Sequence, residues 1–171
     1  MIKKEVEGDV FDRLNNLSRH TYFLHGCNSR GGMGAGVAKK VKETWPMACR
    51  DYKNHCALFN SSTGPMKDMD IMGTNCYHIS ENGDNVLYIV NGITQRNYGK
   101  NPNKIYASIS AIEKCIKDVE EDVKFSNSVI PNLEFDLVTV RVGCGYGGLD
   151  WERDVKPLFE KSSLSWEVYY I

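Results

Sequence analysis

Two glycine-rich stretches constrain the fold of this chain more than any other feature. The first, "GCNSRGGMGAG", covers residues 26–36, and the second, "VGCGYGGLDW", covers residues 142–151. Five of the fifteen glycines fall in the first and four in the second. Each stretch follows a short apolar run, "TYFL" or "FDLVTV", and each precedes a segment with helical spacing. A strand that stops in glycines and restarts as a helix is the crossing of an α/β fold. Glycine lets the main chain approach a ligand with no Cβ in the way. Inward-pointing N–H groups, with the partial positive charge of the following helix, then hold an anion without any lysine. Two such loops side by side have room for a diphosphate.

The rest of the chain fits that frame. "IKKEVEGDV" alternates and ends in a turn at Gly8-Asp9. Residues 21–26 read as a buried strand. From Met33 the period becomes helical, with Val37, Val41 and Trp45 four residues apart, until Pro46 stops it. A second helix then carries Ala48, Tyr52, His55 and Phe59 on one side. "TNCYHIS" and "NVLYIVNGI" predict two strands joined through "ENGDN". Asn101-Pro102 predicts the start of a long helix whose apolar face is Ile105, Ile109, Ile112, Ile116 and Val119. "FDLVTVRVG" and the closing "WEVYYI" predict strands, and Asp150 predicts the N-cap of a helix over 150–161. The alternation gives an α/β fold with a mixed sheet. Ligands in such folds sit outside the carboxyl ends of the strands.

At 171 residues the chain suits one domain with a real core. Formal net charge is −1, from 21 basic and 22 acidic residues, so no global field gathers nucleic acid or an anionic membrane. The opening "MIKKEVEGDV" lacks the apolar region of a signal peptide, and no apolar run is long enough for a bilayer. A cytoplasmic monomer is expected, in the host cytoplasm if the chain is viral. The six cysteines form no CxxC pair and the four histidines do not cluster with them, so reduced thiols and no metal site are expected.

Neither glycine loop is a Walker A motif, since no Gly-Lys-Ser/Thr follows. "GGMGAG" (31–36) is only a loose match to a dinucleotide fingerprint. From "VEGDVF" through "HGCNSRGGMGAGVA" to "GCGYGGLDW" and "VYYI", however, nearly the whole chain resembles a macrodomain, the ADP-ribose-binding module. "HGCN", "GAGVA" and "WPMACRDY" resemble the yeast-type ADP-ribose-1″-phosphate phosphatases. The second loop is more similar to the branch that removes ADP-ribose from acidic side chains or DNA bases.

The resemblance implies a single macrodomain over 1–171, with a mixed central sheet between helices in three layers. It also implies a ligand, ADP-ribose or ADP-ribose-1″-phosphate, with no cofactor and no metal. On that reading Asp9 accepts a hydrogen bond from the adenine amino group, with Val10 beside it, and Tyr169 flanks the adenine. Asn28 meets the distal ribose. Gly32, Met33, Gly34, Ala35, Gly36 and Val37 wrap the distal ribose and its phosphate. Gly143, Cys144, Gly145, Tyr146 and Gly147 hold the diphosphate, with Tyr146 against the distal ribose.

Two positions depart from the adduct-cleaving branch. Gln95 stands where its attacking lysine would align, and Gly147 stands where its second loop carries an aspartate. An amide forms no Schiff base and glycine offers no acid. His25, three residues before Asn28 at a strand end, is then the candidate to activate water or accept the phosphoryl group, as in the phosphatase subfamily. Catalysis is thus expected of His25 and Asn28, in a metal-independent phosphomonoesterase. Alternatives are a non-catalytic ADP-ribose reader and a hydrolase removing ADP-ribose from protein or nucleic acid. Arg30 and Arg96 are candidates to reach a terminal phosphate. Cys27, Trp45 and Trp151 read as packing residues.

Overall fold

The computed structural model describes residues 1–171. In chain order the elements are β1 (Ile2–Glu7), α1 (Val10–Leu14), β2 (His20–Asn28), α2 (Gly36–Thr44), α3 (Pro46–Asn60), β3 (Asn75–Asn82), β4 (Asn85–Gln95), α4 (Ile109–Val129) and β5 (Phe135–Val140). A π-helical turn (Trp151–Val155) then runs into α5 (Lys156–Glu160), and β6 (Trp166–Tyr170) closes the fold.

The strands form one sheet in the order β1-β6-β5-β2-β4-β3. Every pairing is parallel except the β3–β4 hairpin. The alternation of β2 shows why "TYFL" is apolar at every position. Tyr22 and Leu24 pack on one face with Ile112, Cys115, Ile116 and Val119 of α4 and with Phe159 of α5. Phe23 packs on the other with Phe11 of α1, Val41 of α2 and Ala48 of α3. A strand covered on both sides has no polar face to show, and each large side chain it buries contributes about 1.5–3 kcal/mol. Helices therefore lie on both sides of the sheet, which gives the three layers. No helix is long and apolar enough to cross a membrane.

Three boundaries differ from the sequence reading. The long helix starts at Ile109, not near Pro102: Ser108 is its N-cap, its Oγ accepting from Ala111 N at 3.3 Å. Ile105 and Ile109 are consequently 65% and 42% exposed rather than core. Residues 96–107 instead fold back over the end of β4, where Ala107 bridges Gln95 and Ser108 N donates to Thr94 O at 2.8 Å. The first long helix starts at Gly36 rather than Met33, because residues 29–35 are drawn into a loop. The helix expected over 150–161 opens as the π-helical turn, with Asp150 capping it through Arg153 N at 2.7 Å. The short α1, capped by Asp9 through Phe11 N, has no counterpart in the sequence reading.

Candidate functional site

Because β2, β4 and β5 run parallel, their carboxyl ends meet at one edge of the sheet. A cavity of about 540 Å³ opens there. Its walls are the first glycine loop and the start of α2 (26–28 and 31–38), the end of β4 with the segment after it (94–95 and 98–100), and the second glycine loop (140–143 and 145–147). Lys42 and Lys53 complete the lining.

Asn28 shapes the first loop. Its Oδ1 accepts from Arg30 N (2.9 Å), Gly32 N (3.2 Å) and the Tyr52 hydroxyl (3.1 Å), and its Nδ2 donates to Gly32 O at 2.8 Å. The side chain replaces missing backbone partners and curls residues 28–32 into a turn. Beyond that turn the amides of Met33 to Ala38 donate to no protein acceptor, and Ala35, the N-cap of α2, has no side-chain oxygen to offer them. An uncapped helix start of this kind accommodates an anion.

Main chain alone shapes the second loop. Gly143 and Gly148 adopt φ of +75° and +82°, which favours glycine. At Gly147 a Cβ would lie 2.4 Å from Gly143 O, so no other residue fits this conformation. Gly147 O accepts from Tyr106 N (2.9 Å) and Ala107 N (3.1 Å), so the 96–107 segment braces the loop from behind. The amides of Gly143, Gly145, Tyr146 and Gly147 are left without a protein acceptor.

Charge follows the same sense. Lys42, Lys53, Lys100 and Arg141 line the cavity, and no Asp, Glu or His does. None of the three lysines is ion-paired, whereas Arg141 donates to Glu5 at 3.1 Å and lies 3.8 Å over the Tyr170 ring. In a chain of net charge −1 this concentration of cations is local. The 98–100 segment reaches both glycine loops: Tyr98 packs against Gly32, and the Lys100 amine sits 5.3 Å over the Tyr146 ring.

Of the expected site residues, the structure brings Asn28, Gly32, Met33, Gly34, Ala35, Gly36, Val37, Gly143, Gly145, Tyr146 and Gly147 to one cavity. It does not bring His25 there. Residues 23, 25 and 27 of β2 face the helices α2 and α3, and His25 is fully buried beneath them. Its ring stacks on Phe23 at 5.6 Å, and its Nε2 donates to Asn91 Oδ1 at 2.7 Å. Burial pushes its pKa down to about 4. The nucleophile or base expected at His25 is therefore corrected to a neutral core histidine.

Asp9, Val10, Tyr169 and Cys144 also lie outside the lining. Asp9 caps α1 and is ion-paired with Lys40 of α2, Val10 and Tyr169 are packed in the core beside it, and Cys144 turns its thiol to Val142 O. Arg30 and Arg96 point away, Arg30 to Asn97 and Arg96 to Asp70. Gln95 lines the cavity with its amide engaged on Asn97 O at 2.7 Å. The sequence reading missed Lys42, Lys53, Tyr98, Gly99, Lys100 and Arg141. "NYGK" and "VRVG" carried the only signal for four of them, a cation within two residues of a glycine near a strand end.

No protein-family model matches the chain. It is similar to the ADP-ribose 1''-phosphate phosphatases of Meyerozyma guilliermondii, 24% identical over 177 residues and 97% of each chain, and of Debaryomyces hansenii, 25% identical over 176 residues and 98% of each. Among solved structures it matches the macrodomain of Thermus aquaticus DarG, with a TM-score of 0.64 at 18% identity over 98% of this chain and 97% of that one. It also matches Thermosipho africanus DarTG in complex with ADP-ribose, with a TM-score of 0.65 at 20% identity over 98% of this chain and 41% of that one.

Proposed function

We propose that this chain, whose fold is that of a macrodomain, is a phosphatase that hydrolyses ADP-ribose-1″-phosphate to ADP-ribose and phosphate. One observation carries the reading: two rows of unpaired amides and four cations line a cavity that holds no carboxylate. Such a cavity suits a ligand with two or more phosphates, and the similarity to phosphatases over nearly the full chain supplies its kind.

The amides of residues 33–38 and of the second loop cradle the diphosphate, and the Asn28 Nδ2 hydrogen not used by Gly32 meets the distal ribose. Water attacks phosphorus, and the bond from phosphorus to the C1″ oxygen breaks. The electron pair stays on that oxygen, which takes a proton from solvent as phosphate departs. A loose phosphoryl-transfer transition state spreads charge over the non-bridging oxygens, so fixed amides and cations lower its energy while a strong base adds little. Without Asp, Glu or His in the lining the cavity has no ordinary donor set for a divalent cation, in keeping with metal-independent turnover. An adenine amino group reaching Asp9, beside Val10 and Tyr169, shares the carboxylate with Phe11 N and Lys40, since two carboxylate oxygens accept more than two hydrogen bonds.

Phosphate release from ADP-ribose-1″-phosphate in the presence of a chelator tests this reading, and turnover is the expected result. The absence of imidazole and carboxylate from the cavity favours a second reading, an ADP-ribose reader without turnover. Firm calorimetric binding of ADP-ribose with no phosphate release would select it. Release of ADP-ribose from a modified protein would instead demand a route that uses neither a lysine at position 95 nor an aspartate at 147.

A further inference from the structure

The terminal phosphate needs its own counter-charge, because the diphosphate already occupies the loop amides. The arginines that the sequence offered are committed elsewhere, Arg30 to Asn97 and Arg96 to Asp70. Arg141 is tied to Glu5 and stacked on Tyr170, on the β1–β6 side of the cavity. Lys53 differs from all three. Helix α3 is locked to the end of β2 by the Tyr52 hydroxyl, which donates to Asn28 O at 2.5 Å, and by Cys56, whose thiol lies 3.9 Å from the same oxygen. That lock places Lys53 against the first loop, where a Cβ on Gly31 would lie 3.7 Å from Lys53 Cγ. The lysine lines the cavity beside Asn28 and Gly32 and has no carboxylate partner.

We propose that Lys53 is the specificity residue that binds the terminal phosphate of the ligand and so separates ADP-ribose-1″-phosphate from ADP-ribose. This rests on the phosphatase reading above. A lysine ammonium is a compact charge with three donors, suited to a monoester dianion that is delivered, converted and released. Because the contact exists only with the phosphorylated ligand, its loss leaves ADP-ribose binding intact.

The test compares the unaltered chain with Lys53→Met and Lys53→Arg. Calorimetry is run with ADP-ribose and with ADP-ribose-1″-phosphate, beside phosphate release. A hydrogen-bonded charge pair accounts for roughly a tenfold to hundredfold change in affinity. Lys53→Met is expected to lose about that much preference for the phosphorylated ligand, keep its ADP-ribose affinity within about twofold, and raise KM for phosphate release. Lys53→Arg is expected to recover most of the preference. Retention of the full preference in Lys53→Met overturns the role of Lys53 and leaves the phosphatase reading standing. Equal losses for both ligands also overturn it, since Lys53 would then serve the diphosphate. No preference in the unaltered chain overturns the terminal-phosphate site, whereas absence of phosphate release from the unaltered chain overturns the phosphatase reading on which it rests.

Discussion

The two glycine loops line the same cavity but are made in different ways. Residues 28–32 are held by a side chain: Asn28 supplies one donated and three accepted hydrogen bonds. Residues 143–148 are held by main chain, through positive φ at Gly143 and Gly148 and through glycine Cα atoms packed against carbonyls. The first loop should therefore tolerate change at some of its glycines but not at its asparagine. The second should tolerate change at Tyr146, which is 53% exposed, but not at its glycines.

The sharpest test of that contrast is Gly148→Ala beside Gly34→Ala. At Gly148 a Cβ would lie 2.6 Å from Lys104 O, with φ already at +82°. Left-handed backbone costs about 1–2 kcal/mol and overpacking about 1–3, so a loss of about 4 kcal/mol in urea unfolding is expected. ADP-ribose binding should fall by more than about a hundredfold as the neighbouring amides shift. A Cβ on Gly34 meets nothing within 4 Å, and its substitution should stay within about 0.5 kcal/mol. Equal effects at the two positions would erase the distinction between the loops.

Asn28→Ala comes next in size. It strips the turn of its side-chain oxygen and leaves the Tyr52 hydroxyl with fewer partners in a buried place. About 3 kcal/mol of stability and at least about tenfold in ADP-ribose affinity should go with it. Asn28→Asp separates the components. It keeps the acceptor but loses the donor to Gly32 O and sets a negative charge beside the phosphates, so its affinity should fall further than its stability.

His25 ranks third and is tested through pH. Its folded pKa, about 4, lies below the ordinary histidine value of 6.5, so between those values the unfolded chain takes a proton that the folded chain refuses. Stability is fully present above pH 6.5, falls as pH drops toward 4, and has lost about 2 kcal/mol by pH 5. Replacement by an uncharged residue of similar size, His25→Gln, should flatten that stretch of the urea-midpoint curve. An inflection of kcat near neutral pH that vanishes in His25→Gln would instead return His25 to catalysis.

The layered fold and the cavity floor were legible in the sequence because they rest on local signals. Apolar runs mark strands covered on both faces, and glycines mark turns where a Cβ cannot fit. The facing of β2 was not legible, because "FLHGC" is apolar on both sides of its histidine and gives no parity to say whether His25 looks into the cavity or under α3. The start of α4 was missed for a related reason. Asn101-Pro102 is a valid helix opening, but Tyr106 and Ala107 have their amides engaged on Gly147 O, a partner forty residues away, and the helix waits for the cap at Ser108. Lys53 and Lys100 sit at ordinary solvent-facing positions in the sequence, and only the packing of α3 and the 98–100 segment against the loops makes them part of a site.

The smallest effect is expected at two arginines outside the cavity. Arg30 and Arg96 sit in polar loops near the first glycine stretch and are natural phosphate candidates from sequence. Their donors are engaged outside the cavity, with Arg96 in an exposed pair with Asp70 at 3.0 Å. Exposed pairs of this kind contribute about 0–1 kcal/mol, because solvent screens them and long side chains lose freedom in forming them. Arg96→Ala should therefore change stability by less than about 0.5 kcal/mol and leave KM for phosphate release within about twofold. Arg30→Ala should do the same, apart from a slight loosening of the 95–97 turn. A tenfold rise in KM in either variant would mean that the arginine swings inward when ligand arrives. Lys53 would then share the terminal phosphate with that arginine.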